Sequence, residues 1–157
     1  MKKIHIKGER EIGNFIQAIN DDFVLISITS PEEDWASIPE NVNCRGVLRL
    51  KFHDIEHPAH GYVHFSDDHA AKIKDFVEEY NYVKVIICQC EAGISRSAGV
   101  ASALLKQYGM DENEIFTKGF YMPNLLVYKK MLKAFDIPVD DAELKRLGSS
   151  STYFFRV

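Results

Sequence analysis

The stretch 83–105 constrains this chain more than any other, because it joins a buried strand to a helix through one short loop. Residues 83–88 are apolar and rich in β-branched side chains, which is typical of a strand covered on both faces. From Val100 onward the apolar positions recur with helical spacing. Between them lies the loop from Cys90 to Arg96. A strand–loop–helix junction binds anions through backbone N–H groups and the helix dipole, so the sequence predicts an anion site here.

This loop, called the phosphate loop below (residues 90–96), carries the side chains that phosphate chemistry needs. The positive end of a helix and a neighbouring arginine stabilise a thiolate, so we expect Cys90 to be a nucleophile. Arg96 can donate two parallel N–H bonds to a phosphate. Ser97 can donate its hydroxyl to the thiolate, and Gly93 lets the backbone close round a phosphate without a Cβ in the way.

The pattern Cys90-x5-Arg96-Ser97 after a buried strand resembles the signature of the cysteine-based protein tyrosine phosphatases. A second feature, Pro123-Asn124 before a predicted helix, is similar to the Pro-Asn of the dual-specificity phosphatases, where the Asn helps to hold the phosphate loop. Asn124 is equally expected as an ordinary helix N-cap. One position departs from the family, because Gln89 stands where a His is usual. Gln carries no positive charge, so we expect weaker stabilisation of the thiolate.

The resemblance also implies a general acid, an Asp on a mobile loop some thirty-odd residues before the nucleophile. Asp54 follows the predicted strand Gly46–Phe52 and precedes Cys90 by 36 residues, so it is the first choice. Glu56 is one alternative. Asp67 and Asp68 are two more, but both fall where a helix cap is expected.

The mechanism that the resemblance implies needs no metal or other cofactor. The Cys90 thiolate attacks phosphorus while the loop amides and Arg96 hold the other oxygens. Asp54 protonates the leaving oxygen and then, as a base, activates the water that hydrolyses the phosphocysteine, while Ser97 stabilises the departing thiolate.

The remaining loop side chains predict the substrate class. These side chains are expected to contact the substrate and to form the rim of the site. They are those of Glu91, Ala92, Ile94 and Ser95, with the backbone of Gly93 beside them. The expected rim therefore contains no Lys or Arg. A highly anionic substrate such as an inositol phosphate or an RNA 5′-triphosphate would favour a basic rim. The apolar side chains favour the ring of phosphotyrosine, with phosphoserine or phosphothreonine accepted if the pocket is shallow. The alternative function is a module that binds phosphorylated partners with little turnover, since Gln89 and Glu91 both weaken thiolate stabilisation.

Composition predicts one soluble domain, residues 1–157, which we expect to be monomeric. The formal charge of −4 argues against nucleic-acid partners, and no apolar run is long enough for a membrane span, so the expected partner is a phosphorylated protein. Three cysteines make no disulfide framework and indicate a reducing, cytoplasmic setting. A reversible disulfide between Cys88 and Cys90 is a hypothesis motivated by proximity alone. Four histidines have the spacing of one helix face and could suggest a metal site: His53, His57, His60 and His64. Pro58 and Gly61 prevent a regular helix there, so this spacing does not bring the four side chains together.

Strands that alternate with helices predict an α/β domain of three layers, α/β/α, with a mostly parallel sheet and the phosphate loop at the carboxyl end of a central strand. The segment 32–43 is expected to cover a sheet edge, with Trp35 as a packing anchor. The predicted strands are 2–7, 23–28, 46–52 and 83–88. The predicted helices are 9–20, one that starts at Ser66 or Asp67, one that Ser97 opens, 111–118, 124–135 and 138–147. A Ser-rich linker, 149–152, and an edge strand or loose tail, 153–157, complete the chain.

Overall fold

Four parallel strands form the centre of the computed structural model, which describes residues 1–117 and 119–146. They are β1 Lys3–Lys7, β2 Phe23–Thr29, β3 Cys44–Lys51 and β4 Val85–Gln89. Their spatial order is β1-β4-β2-β3, and every neighbouring pair is parallel. Every residue of β2 and β4 is buried, which is why these two strands have continuous apolar sequences. The predicted α/β class is confirmed, and the phosphate loop follows the carboxyl end of the central strand β4.

The helices cover both faces of the sheet, which gives the three predicted layers. Helix α1, Glu9–Ala18, covers one face by packing Ile12 and Ile16 against side chains of β2 and β4. The other face is covered by α2 Asp67–Glu79 and α3 Arg96–Gln107, with α5 Leu125–Ala134 packed on both. A short helix α4, Asn113–Thr117, and a last one over 141–146 complete the described elements.

Helix caps decide where the elements begin. The Ser66 hydroxyl accepts from the His69 N–H at 3.2 Å and starts α2, and Asp140 accepts from the N–H of Ala142 at 3.0 Å before the last helix. The prediction that Ser97 opens α3 is wrong by one residue. The Ser95 carbonyl already accepts from the Gly99 N–H, at 2.9 Å, so Arg96 is the first helical residue. The predicted linker 149–152 and tail 153–157 lie outside the described residues.

The expectation that Trp35 is a packing anchor is also wrong. Its side chain is 46% exposed, and the Lys51 ammonium lies 4.5 Å from the ring centroid. Trp35 therefore serves as a cation–π partner on the surface beside β3. Within the described residues, no helix combines the length and apolar character that a membrane crossing requires.

Candidate active site

The phosphate loop turns its carbonyl groups toward the surrounding protein. Four of its carbonyls accept hydrogen bonds from outside the loop or from the following helix: Cys90 from Gln89 Nε2 at 3.0 Å, Glu91 from Glu9 N at 2.9 Å, Ile94 from Met122 N at 3.0 Å, and Ser95 from Asn124 N at 3.0 Å and Gly99 N at 2.9 Å. A trans peptide is planar, so the N–H that follows each carbonyl points the opposite way. Within residues 1–117 and 119–146, the N–H groups of 91–96 have no hydrogen-bond acceptor. Such a row of unused donors suits an oxyanion.

Two glycines let the loop approach the turn between β1 and α1. Gly93 has a φ of +71°, and a Cβ there would lie 2.5 Å from the Gly8 nitrogen. A Cβ on Gly8 would lie 2.8 Å from the Ala92 carbonyl oxygen. The loop therefore packs backbone to backbone against this turn, and Gly93, which the sequence analysis also placed at the site, is buried there. Gly8 was not predicted, although a Gly directly after a strand at the same sheet edge was the available signal.

The Cys90 thiol lies beside the hydroxyl of Ser97. Their Sγ and Oγ atoms are 3.1 Å apart, and both residues are buried. Ser97 stands in the first turn of α3, so the sulfur faces the positive end of that helix. The hydroxyl can donate to a thiolate, which is the role expected from the sequence.

Arg96 is anchored by the ends of two strands. Its Nη1 donates to the Ser30 hydroxyl at 3.0 Å and to the Phe52 carbonyl at 2.9 Å, and the residue is only 5% exposed. In the described part of the chain, the remaining guanidinium nitrogens have no hydrogen-bond acceptor, which leaves them for a ligand. Ser30 was missed, although it follows the carboxyl end of β2, where parallel strands bring polar residues together.

Asp54 contacts the phosphate loop directly. Its Oδ1 accepts from the Ser95 hydroxyl at 2.8 Å and from Asn124 Nδ2 at 2.9 Å. Residues 53–65, which we call the acid loop, are thereby tied to the phosphate loop and to the start of α5. The same Asn124 Nδ2 also donates to the Ile55 carbonyl at 3.1 Å, which adds a second bond to the acid loop.

Asn124 is a helix cap, and its backbone also contacts the phosphate loop. Its Oδ1 caps α5 by accepting from the Val127 N–H at 3.0 Å. Its backbone N–H holds the phosphate loop through Ser95, as described above. It is 1% exposed, so one buried residue connects three elements of the site.

The three alternative acids make other contacts. Glu56 Oε2 accepts from the Leu125 N–H at 2.7 Å in the first turn of α5. Asp67 pairs with Lys130 at 3.0 Å, and this hydrogen bond lowers the pKa of its carboxyl. Asp68 pairs with Lys72 at 3.2 Å on the surface of α2. Of the four candidate acids, Asp54 is the one whose carboxylate accepts a hydrogen bond from the phosphate loop.

The Gln89 side chain links β2 to the first peptide of the phosphate loop through two hydrogen bonds. It is 1% exposed, and its Oε1 accepts a hydrogen bond from the hydroxyl of Ser27, which is fully buried on β2. Its Nε2 then donates to the Cys90 carbonyl. A neutral amide fits this position because the two neighbours require one acceptor and one donor.

A cleft of about 270 Å³ adjoins the loop on the α1 side. Its walls include Gln89 and Trp35 and four carboxylate side chains, those of Glu9, Glu33, Asp34 and Glu91. Of the expected rim residues, Glu91 and Ala92 are exposed, and Ile94 and Ser95 are half-buried. The surroundings of the loop are therefore acidic and apolar.

The other two cysteines differ from Cys90 in environment and position. Cys88 is fully buried, and burial raises the pKa of its thiol. Cys44 on β3 pairs with Phe23 on β2, and Phe23 pairs with Val85 on β4. Val85 precedes Cys90 by five residues, so Cys44 is displaced from Cys90 by roughly 16 Å along the strand direction. Among the described residues, no group of three or more His, Cys, Asp or Glu side chains is arranged to hold a metal ion.

Comparisons with known proteins agree on the architecture. No family model and no curated protein matches the sequence. Among solved structures, a mouse protein assigned as a dual specificity phosphatase, complexed with zinc tungstate, shares 17% identity at a TM-score of 0.58, over 92% of this chain and 86% of that one. The human tyrosine phosphatase-like serine/threonine/tyrosine-interacting protein shares 18% identity at a TM-score of 0.57, over 83% of this chain and 89% of that one. Human DUSP28 shares 16% identity at a TM-score of 0.54, over 85% of this chain and 91% of that one. At such identities the likeness establishes the fold.

Proposed function

We propose that this chain, which has the fold of the dual specificity phosphatases, hydrolyses phosphotyrosine in proteins through a phosphocysteine on Cys90. The observation that carries the proposal is the pairing of two features: a buried thiol 3.1 Å from the Ser97 hydroxyl, and a loop whose N–H groups of residues 91–96 have no acceptor among the described residues. A nucleophile and an oxyanion cradle at one strand end are the two requirements of covalent phosphoryl transfer.

In the first step the Cys90 thiolate attacks phosphorus in line with the ester oxygen. The loop N–H groups and the Arg96 guanidinium hold the three equatorial oxygens, whose charge they stabilise. The S–P bond forms as the P–O bond to tyrosine breaks. Asp54 gives its proton to the departing phenolic oxygen, so the leaving group departs as a neutral phenol.

In the second step water attacks the phosphocysteine. Asp54, now a carboxylate, takes a proton from the water, and the O–P bond forms as the S–P bond breaks. The Ser97 hydroxyl donates to the released thiolate, which returns the enzyme to its initial state. Every proton is accounted for by Asp54, so these steps require no metal or other cofactor.

The surroundings of the loop support a protein phosphotyrosine substrate. The adjoining cleft has four carboxylates, which would repel a second phosphate, so inositol polyphosphates and RNA 5′-triphosphates are disfavoured. Ala92 and Ile94 offer apolar surface to an aromatic ring. Phosphoserine and phosphothreonine would be accepted if the pocket is shallow enough for their shorter side chains.

The proposal also includes the oligomeric state, the domain organisation and the compartment of the protein. We propose a monomer with one domain, residues 1–157, acting on phosphorylated proteins in the cytoplasm. The three cysteines are free thiols, which suits a reducing compartment.

A second candidate function is a binding module that holds phosphorylated partners with little turnover. The observation that favours it is the neutral Gln89 beneath Cys90, since an amide adds no positive charge to stabilise the thiolate.

The first prediction tests both functions by hydrolysis of p-nitrophenyl phosphate across pH. We expect a bell-shaped profile for the wild type, no activity for Cys90→Ser, and a kcat lowered by roughly 10²–10³-fold for Asp54→Asn, because hydrolysis of the phosphocysteine loses its base. Asp67→Asn, which removes a carboxylate that pairs with Lys130 instead, is the matched control and should retain wild-type activity.

Other outcomes would redirect the proposal. Normal activity in Asp54→Asn would move the acid to another carboxylate. Absence of turnover at every pH, in protein that still binds a phosphotyrosine peptide, would favour the binding module.

A further inference from the structure

His53 joins the two ends of the acid loop. Its backbone N–H donates to the Val63 carbonyl at 2.7 Å, and the Val63 N–H donates back to His53 Nδ1 at 2.9 Å. These two bonds close a loop that contains Asp54. The Tyr62 ring adds an edge-on contact, with ring centroids 5.0 Å apart.

The hydrogen bonds fix the protonation state of the ring. A backbone N–H can only donate, so Nδ1 must be the unprotonated acceptor. The proton then lies on Nε2, which donates to Glu32 Oε2 at 2.8 Å. His53 is therefore neutral in this arrangement, and it connects the acid loop to the segment that follows β2.

The neighbours of His53 in the chain contact the phosphate loop. The Phe52 carbonyl accepts from Arg96, and the Asp54 carboxylate accepts from Ser95 and Asn124. Phe52 is buried and held by its own N–H bond to the Thr29 carbonyl at 3.1 Å, so movement of the His53 backbone would displace the Asp54 contacts. The acid loop is otherwise exposed over residues 56–63, so its own packing does little to hold it.

We propose that His53 is a positioning residue, which holds the acid loop closed so that Asp54 can protonate the leaving group. The inference rests on the proposed function, and on Asp54 as its general acid. Neither Cys90 nor the phosphate loop contacts the His53 ring through any described hydrogen bond, so the effect should be confined to proton transfer.

The test uses leaving groups of different basicity. p-Nitrophenolate departs readily without a proton, whereas the phenolate of phenyl phosphate needs one. The ratio of kcat/KM for p-nitrophenyl phosphate to that for phenyl phosphate therefore reports on the acid. We expect Asp54→Asn to raise this ratio roughly 100-fold, because the acid is absent. We expect His53→Ala to raise it roughly 10-fold, because a misplaced acid still protonates part of the leaving group.

Two further variants show that the contact, rather than the bulk, matters. His53→Asn keeps an acceptor near the position of Nδ1 for the Val63 N–H, so it should recover most of the wild-type ratio. His60→Ala changes an exposed histidine of the same loop and should leave the ratio unchanged. The rate at which iodoacetamide alkylates Cys90 should stay at the wild-type value in His53→Ala, which shows that the phosphate loop is intact.

The outcomes separate the inference from the proposed function. An unchanged ratio in His53→Ala, beside a raised ratio in Asp54→Asn, would overturn the positioning role alone. An unchanged ratio in Asp54→Asn would remove Asp54 as the acid and His53 with it. If His53→Ala does not fold, an unchanged ratio in the milder Glu32→Ala, which removes the partner of Nε2, would equally overturn the inference.

Discussion

Gln89 shows how one residue can depart from a family pattern and still fit the site. The position beneath Cys90 faces a hydroxyl donor, Ser27, and a carbonyl acceptor, Cys90. An amide satisfies both without titrating, so its contribution to the orientation of the first loop peptide does not depend on pH. The sequence analysis considered only the missing charge of Gln89, because Ser27 is 62 residues away in the chain and the pairing is a consequence of the sheet order.

The residue-scale prediction concerns this pair. Gln89→Met leaves the Cys90 carbonyl and the Ser27 hydroxyl without partners, so we expect kcat/KM to fall about tenfold and the free energy of unfolding to fall by about 1–3 kcal/mol. Steady-state kinetics and urea denaturation measure the two effects. Ser102→Ala is the control, because Ser102 is equally buried but bonds only within α3, to the Ala98 carbonyl. A wild-type kcat/KM in Gln89→Met would refute the orienting role.

At the scale of elements, the phosphate loop depends on a turn that lies far from it in sequence. The strand, loop and helix of residues 83–105 could be predicted because they are contiguous and their periodicities differ. The turn at Gly8, the anchors of Arg96 at Ser30 and Phe52, and the closure of the acid loop could not, since each depends on which strands become neighbours. Asp54 was predicted as the acid from the family resemblance and its distance along the chain to Cys90, while its hydrogen bond from Ser95 required the structure.

The element-scale prediction compares two glycines with the same backbone angle. Gly93 and Gly109 both have a φ of +71°, but a Cβ on Gly109 has no neighbour within 4 Å, whereas one on Gly93 meets the Gly8 backbone. Gly109→Ala should lower the free energy of unfolding by about 1–2 kcal/mol, the cost of the left-handed conformation, and keep its activity. Gly93→Ala should lower it by about 3 kcal/mol or more and abolish phosphatase activity.

Thermal or urea denaturation and the p-nitrophenyl phosphate assay decide the comparison. Equal losses of stability in the two variants, with activity kept in both, would show that the close approach of the loop to the β1–α1 turn is not required.

At the scale of the whole molecule, the fold was more predictable than the site. Continuous apolar sequences identified the two buried strands, and the alternation of strands with helices predicted the three layers. The strand order β1-β4-β2-β3 was not predicted, because periodicity carries no information on which strands pair. That order brings the ends of β1, β2 and β3 around the end of β4, and so it supplies Gly8, Ser30 and Phe52 to a loop that contains none of them.

The most direct test of the account is to trap the phosphocysteine. In Asp54→Asn, p-nitrophenyl phosphate can still transfer its phosphoryl group, because p-nitrophenolate needs no proton, while hydrolysis is slowed by the missing base. Protein quenched in acid during turnover and digested for mass spectrometry should carry one phosphoryl group on Cys90, with none on Cys90→Ser. Release of p-nitrophenol with the phosphoryl group on another residue, or with Cys90 unmodified throughout, would contradict the account.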